Sequence, residues 1–201
     1  KAKLTEHFLE LIRRASTTLP PDVQRAMEAA IEAEGEGTSG AATLSLMLDN
    51  AKKASENSTP ICQDTGSLLF FIEYGPGFSE SQIEEAAREA AREATARYYL
   101  RPNAVDPLTG KNSGDNTGLE APHIEFTHRE EPGLRVRLLL KGGGSENVGA
   151  QYKLPDASLG AGRDIEGVRR CVVDAVYKAQ GKGCAPGAIG VCIGGDRCTS
   201  F

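Results

Sequence analysis

Residues 68 to 74, LLFFIEY, have the bulk and aromatic content of a strand, and they pass through a turn into a long alanine-rich helix, PGFSESQIEEAAREAAREATARYYL. This is the one place where the chain comes close to a repeating βαβ pattern. Before it, three helices are predicted: residues 4 to 16, with Phe8, Leu9, Leu11 and Ile12 at helical spacing, a second from Pro20-Pro21 to about Glu34, and a third over roughly 41 to 56, capped by Thr38-Ser39-Gly40. After it, HIEFTH (123 to 128) and LRVRLLL (134 to 140) read as strands joined by EEPG into a hairpin, DIEGVRRCVVDAVYKAQ as an amphipathic helix, and AIGVCIGG as a short buried strand. Helices grouped before, between and after about four strands argue for an α+β fold: a small, mainly antiparallel sheet flanked by helical groups. Pro102 to Pro122 has no useful periodicity and reads as a long ordered loop, a length uncommon without a functional reason.

A chain of 201 residues fills one core or at most two small ones, and no internal repeat or interdomain linker divides it, so residues 1–201 are expected to form one domain. The net charge of −5 and the lack of a Lys/Arg-rich run exclude a basic field for phosphate backbones, so nucleic acid is not expected as a partner. No apolar run approaches the roughly 18 residues of a membrane span, and the charged amphipathic N-terminus is not built like a signal peptide. The expectation is a cytoplasmic protein. Five widely spaced cysteines then read as reduced thiols, some structural and some available to a metal.

Chemistry is expected where strands begin and end. Cys62 precedes a strand in TPICQDTG, Gly142 to Ser145 follow another, and Cys184 lies at a helix-to-strand junction. Soft thiolates in such loops can reach a metal. Cys171 in the valine-rich helix and Cys192 in the apolar strand read as core thiols, whereas Cys198 reads as ligand or bystander. The glycines at 142, 143 and 144 serve either a tight turn with positive φ or close backbone approach to a ligand. A Cys/His nucleophile from Cys62 with His123 or His128 is conceivable, although both histidines read first as surface or core residues. Neither CxxC nor HExxH occurs, and GGGS is followed by no GK[ST], which leaves a phosphate- or nucleotide-binding reading with little support.

Four ordered motifs carry a family resemblance. PICQDTG (60 to 66), LRPNAVDPLTGKNSGDNTG (100 to 118), LKGGGSEN (140 to 147) and GCAPGAIGVCIGGDR (183 to 197) together resemble the N-terminal, cluster-binding part of class I fumarate hydratases, a pattern shared with the alpha subunit of L(+)-tartrate dehydratase. The resemblance implies a 4Fe-4S cluster on three cysteines with one open iron. Cys62 and Cys184 match two of those ligands, and the third is expected beyond Phe201. The resemblance also implies that Gln63 and Asp64 belong to the active-site loop, with Asp64 orienting substrate or water. It assigns Arg101 to a substrate carboxylate and Gly144 to the loop whose backbone meets the substrate, with Gln63 beside them. Tyr, Asn and Lys residues between 98 and 118 are candidates to line the same pocket, with no individual role assigned.

The implied reaction is the reversible hydration of fumarate to L-malate in the tricarboxylic acid cycle. Elimination of water needs a carboxylate anchor, an acid for the departing hydroxyl and a base for an unactivated C–H. The base is expected from a C-terminal domain or a beta subunit, so the chain is expected to be C-terminally incomplete, inactive alone and part of a homo-oligomer. An L(+)-tartrate dehydratase alpha subunit and a cluster-free interaction module on the same scaffold remain alternatives.

Overall fold

The computed structural model describes residues 2 to 195. The chain divides into two compact units, one ending at Lys141 and the other beginning at Gly142. The first contains helices α1 (Ala2–Thr17), α2 (Pro21–Glu34), α3 (Ser39–Asn57) and α4 (Glu80–Ala96), with strands β1 (Ser67–Tyr74), β2 (His123–His128) and β3 (Leu134–Lys141). Local chemistry sets the helix ends. Pro21 occupies the first turn of α2, where a missing N–H costs nothing. Thr38 Oγ1 accepts from Ala41 N at 3.2 Å and so caps α3.

The sheet is mixed, three-stranded and ordered β2-β1-β3. β1 pairs with β2 in parallel from Leu69↔His123 to Tyr74↔His128, and with β3 antiparallel from Ser67↔Lys141 to Tyr74↔Leu134. The fold class is therefore α+β as expected, but two details differ: the sheet has three strands rather than about four, and its pairing is mixed. The expected hairpin does not form, because both of its strands pair with β1 from opposite sides. Its EEPG link instead crosses the end of the central strand, where Arg129 N donates to Tyr74 O at 2.8 Å and Gly75 N to Gly133 O at 2.9 Å. Gly75 is required there, since a Cβ would overlap the Glu131 carbonyl. A parallel partner needs a crossover connection, and α4 with the long loop supplies it.

β1 takes the centre because its alternate residues are the most completely apolar. Leu68, Phe70 and Ile72 are buried against Phe8, Leu9 and Ile12 of α1 and against Ile83, Ala86, Ala87, Ala90, Ala91 and Ala94 of α4. Phe8 meets Phe70 edge to face, with ring centroids 5.3 Å apart at 82°. Each fully buried Phe, Leu or Ile contributes on the order of 1.5–3 kcal/mol. Alanine contributes little apolar area itself; its value here is that a helix face without bulk comes close to α1. On the opposite sheet face Glu73 receives Arg129 and Arg135, each at 3.4 Å, and Arg137 at 3.6 Å.

The second unit contains α5 (Gly143–Glu146) and α6 (Ile165–Ala179). Asp164 caps α6, its Oδ1 accepting from Gly167 N at 2.7 Å. The preceding loop is tied to the helix where Tyr152 Oη donates to Asp174 Oδ2 at 2.6 Å, which pushes the tyrosine pKa up to about 12. Cys171 is buried in α6 as expected. AIGVCIGG is not a strand: it is exposed throughout, and Cys192 lies in solvent rather than in a core. A strand exists only with a ladder partner, and none pairs with this segment among the described residues. Nor is any helix of the described residues long and apolar enough to cross a membrane.

The two faces of β1 make unequal contributions to stability. Phe70→Ala is expected to lower unfolding free energy by about 3–5 kcal/mol and Phe71→Ala, on the half-covered face, by markedly less, as read by chemical denaturation. Equal losses would contradict the assigned faces.

Candidate active site

The loop carrying Cys62 is fixed from behind before it becomes exposed. Ile61 N donates to Ser16 O at 3.0 Å, and Ile61 O accepts from Asn50 Nδ2 at 2.9 Å, tying the loop to the end of α1 and the body of α3. Cys62, Gln63 and Asp64 then lie at the surface, and Thr65 and Gly66 return to the interior. Asp64 Oδ1 accepts from Gly66 N at 3.0 Å, closing a turn in which Gly66 has φ of +75°. β1 begins at the next residue.

The C-terminal end of α4 delivers the second half of this site. Leu100 is buried in the core and Arg101 emerges beside the Asp64 turn. Arg101 N donates to Thr65 Oγ1 at 3.1 Å, and Asn103 Nδ2 donates to Asp64 Oδ1 at 3.1 Å. Two loops 36 residues or more apart in sequence are thus bound to each other by side chains. The Arg101 guanidinium itself has no hydrogen bond or ion pair among the described residues. An exposed guanidinium carried by the segment that is bonded to the Asp64 turn suits a ligand that carries a carboxylate.

Order in the long loop comes from polar side chains. Val105 bridges Asn112, Gly118 bridges Ala121, and Asn112 Nδ2 donates to Pro102 O at 2.7 Å. Asp106 accepts from Leu108 N at 2.8 Å and Thr109 N at 2.9 Å, and these main-chain donors hold its carboxyl below the usual range. At the inner edge lies Asn116, 2% exposed, whose amide reaches the main chain on both sides of Pro102.

In the second unit, Gly144 and Cys184 are brought together. A Cβ on Gly144 would overlap the Cys184 Sγ. Gly142 has φ of −71° and Gly143 and Gly144 belong to α5, so the glycine run is not a positive-φ turn. Close approach explains Gly144. Cys184 is exposed, as is Cys62 in the first unit.

Of the sequence-predicted residues, Cys62, Gln63, Asp64 and Arg101 share one loop pair in the first unit, and Gly144 and Cys184 share one contact in the second. Cys198 lies outside the described residues. Among the described residues no group of three or more His, Cys, Asp or Glu side chains is arranged to hold a metal. His128 packs against Tyr74, ring centroids 5.4 Å apart, at the end of β1 away from Cys62, and His123 is exposed opposite Leu69. Sequence reasoning missed Thr65 and gave Asn103 and Asn116 no individual role. Their signal lay inside the motifs already singled out, as buried-capable amides and hydroxyls in a loop otherwise free of apolar anchors.

Comparison with known proteins places these motifs in context. The family model described as fumarate hydratase (Fumerase) matches residues 5–200. A Geobacillus stearothermophilus protein provisionally named fumarate hydratase class I is 48% identical over 99% of this chain, which spans 39% of that protein. A Methanocaldococcus jannaschii protein provisionally named L(+)-tartrate dehydratase subunit alpha is 36% identical over 96% of the chain, covering 67% of its own length. The L(+)-tartrate dehydratase subunit alpha of Escherichia coli K12 is 29% identical over 95% of the chain and 62% of its own length.

The Gly144 contact gives a direct test. Gly144→Ala must displace the Cys184 thiol, so the alkylation rate of Cys184, followed by peptide mass spectrometry, is expected to change several-fold while that of Cys62 stays constant. An unchanged Cys184 rate would rule out the contact.

Proposed function

The chain belongs to the fumarate hydratase (Fumerase) family, and we propose that it supplies the cluster-holding, carboxylate-gripping part of a hydro-lyase that interconverts fumarate and L-malate. The observation that carries this reading is the pairing of the Cys62–Gly66 turn with the Arg101–Asn103 segment, which sets a thiol, a carboxylate and an unpaired guanidinium on one edge of the first unit. The match across residues 5–200 supports it.

The donor set suits an iron–sulfur cluster. Cys62 and Cys184 are exposed thiols in loops, the kind of ligand such clusters take, and the absence of a side chain at Gly144 leaves the backbone against one of the sulfurs. We assign both as ligands of a 4Fe-4S cluster. When bound, the cluster supplies a Lewis acid that makes hydroxide a tolerable leaving group.

The remaining work falls to the chain's own residues. Arg101 grips one substrate carboxylate through two parallel N–H donors, which fixes both position and plane. Asp64, bonded by Gly66 N and Asn103 Nδ2, is held in place and is assigned to orient the substrate or water. Gln63 is exposed beside it and offers a neutral donor and acceptor to the second polar end of a dicarboxylate. Gly144 is assigned to substrate binding through its main chain, the side-chain position being taken by the Cys184 sulfur. The base for the C–H proton is assigned to a C-terminal domain or beta subunit, in keeping with relatives named as alpha subunits. Those names also support L(+)-tartrate as an alternative substrate, since a second hydroxyl can use the same acceptors.

The deciding experiment is anaerobic reconstitution of the full-length protein with its partner domain, followed by turnover of malate and L(+)-tartrate in parallel and by iron and sulfide analysis. Malate turnover that is lost in air is the expected result; a complete protein that takes up no iron would reduce the chain to an interaction module. Cys62→Ser and Cys184→Ser are expected to abolish the visible absorbance of the cluster, and Cys171→Ser to leave it intact. Arg101→Lys replaces a fork by a point charge and is expected to raise KM for malate roughly tenfold, the loss of one charge-assisted hydrogen bond; an unchanged KM would remove Arg101 from substrate binding.

A further inference from the structure

Resting on that reading of Arg101, we propose that Asn116 is a positioning residue for substrate binding: it touches no substrate and acts by fixing the main chain that carries Arg101 and Asn103. Its carboxamide is 2% exposed and fully used. Nδ2 donates to Arg101 O at 2.8 Å and to Thr95 Oγ1 at 2.9 Å, while Oδ1 accepts from Asn103 N at 2.8 Å and Ala104 N at 3.2 Å. Those are all the bonds an amide can make, and three of the four go to the main chain between 101 and 104. The fourth anchors the amide to α4, where Thr95 Oγ1 in turn donates to Ala91 O at 2.8 Å.

Arg101 is consequently held at both ends of its residue. Its N–H is bound by Thr65 Oγ1 at 3.1 Å and its carbonyl by Asn116. The same Thr65 adjoins Asp64, whose Oδ1 is bound by Asn103, the next residue that Asn116 fixes. One buried amide therefore sets the spacing between the guanidinium's root and the carboxylate of the facing turn. A long flexible side chain can grip a planar carboxylate repeatedly only if its Cα does not wander, and a misplacement of about 1 Å is enough to weaken such a site strongly. Asn116 has φ of +59°, a conformation in which asparagine is the most tolerated residue after glycine, so the position combines a backbone turn with four directed bonds.

The test uses the full-length, cluster-loaded enzyme. Asn116→Gly keeps the left-handed turn and deletes the amide. It is expected to raise KM for malate roughly tenfold with little change in kcat, and to remove hydrogen-exchange protection from the Asn103 and Ala104 amides. In the double variant with Arg101→Lys the two KM effects should not multiply, because Asn116 acts through Arg101. Multiplying effects, an unchanged KM or retained amide protection each overturn the proposal. Thr65→Val and Thr65→Ser provide a second route if Asn116→Gly does not fold: the valine should raise KM and the serine restore it, and a valine without effect counts against the proposal. A wild-type enzyme inactive on both malate and tartrate overturns the functional reading and this inference with it, whereas an active wild type with uncoupled variants overturns the inference alone.

Discussion

The first unit depends on how closely α4 can pack against α1. Ala86, Ala87, Ala90, Ala91 and Ala94 are all fully buried, and a larger side chain at any of them would push α4 away from α1 and open the core that they share with Phe8, Ile12, Phe70 and Ile72. Interiors are packed at crystal-like density, so such a displacement is not absorbed locally. The close contact also fixes where α4 ends. Thr95, Leu100 and Arg101 arrive at the start of β1, which is where the turn of Cys62, Asp64 and Thr65 leads into the strand. A packing constraint in the core thereby becomes the position of a carboxylate-binding group at the surface.

From there on, side-chain hydrogen bonds take over from regular structure. A helix or strand satisfies its own main chain and leaves little reason for a polar group to face it. The segment from Arg101 to Pro122 satisfies its main chain with Asp106, Asn112, Asp115 and Asn116 instead. That substitution leaves the loop ordered while its outward groups remain available. The second unit solves a related problem by omission: Gly144 contributes no side chain where the Cys184 sulfur comes against the main chain.

The legibility of these features followed the range of the interactions that produce them. Helices α1 to α4 and α6 were readable because apolar spacing and caps act within a few residues. Each strand of the sheet was readable for the same reason, and the pairing was not: the EEPG link joins two apolar segments over a short span, as hairpins do, yet β1 competes for both with a more apolar face. AIGVCIGG has strand composition but no ladder partner among the described residues, and composition cannot supply one. In the site, Cys62, Gln63, Asp64, Arg101, Gly144 and Cys184 stood out as motif residues. Thr65 and Asn116 did not, since a buried hydroxyl or amide in a loop is recognisable only by what it touches.

The sequence by itself determined the α+β composition, the order of α1 to α4, α6 and the three strands, the family and the motif residues offered for chemistry, all of which rest on local periodicity and on short ordered signatures. Tertiary structure alone decided that β1 lies between β2 and β3, that the Asp64 turn is bonded to Asn103 and Arg101, and that Gly144 is demanded by a sulfur rather than by its own φ. These depend on contacts between residues 36 or more positions apart, as in the Thr65–Arg101 bond, and such contacts are fixed by packing and by which strand buries the larger apolar face. No window of sequence contains that competition.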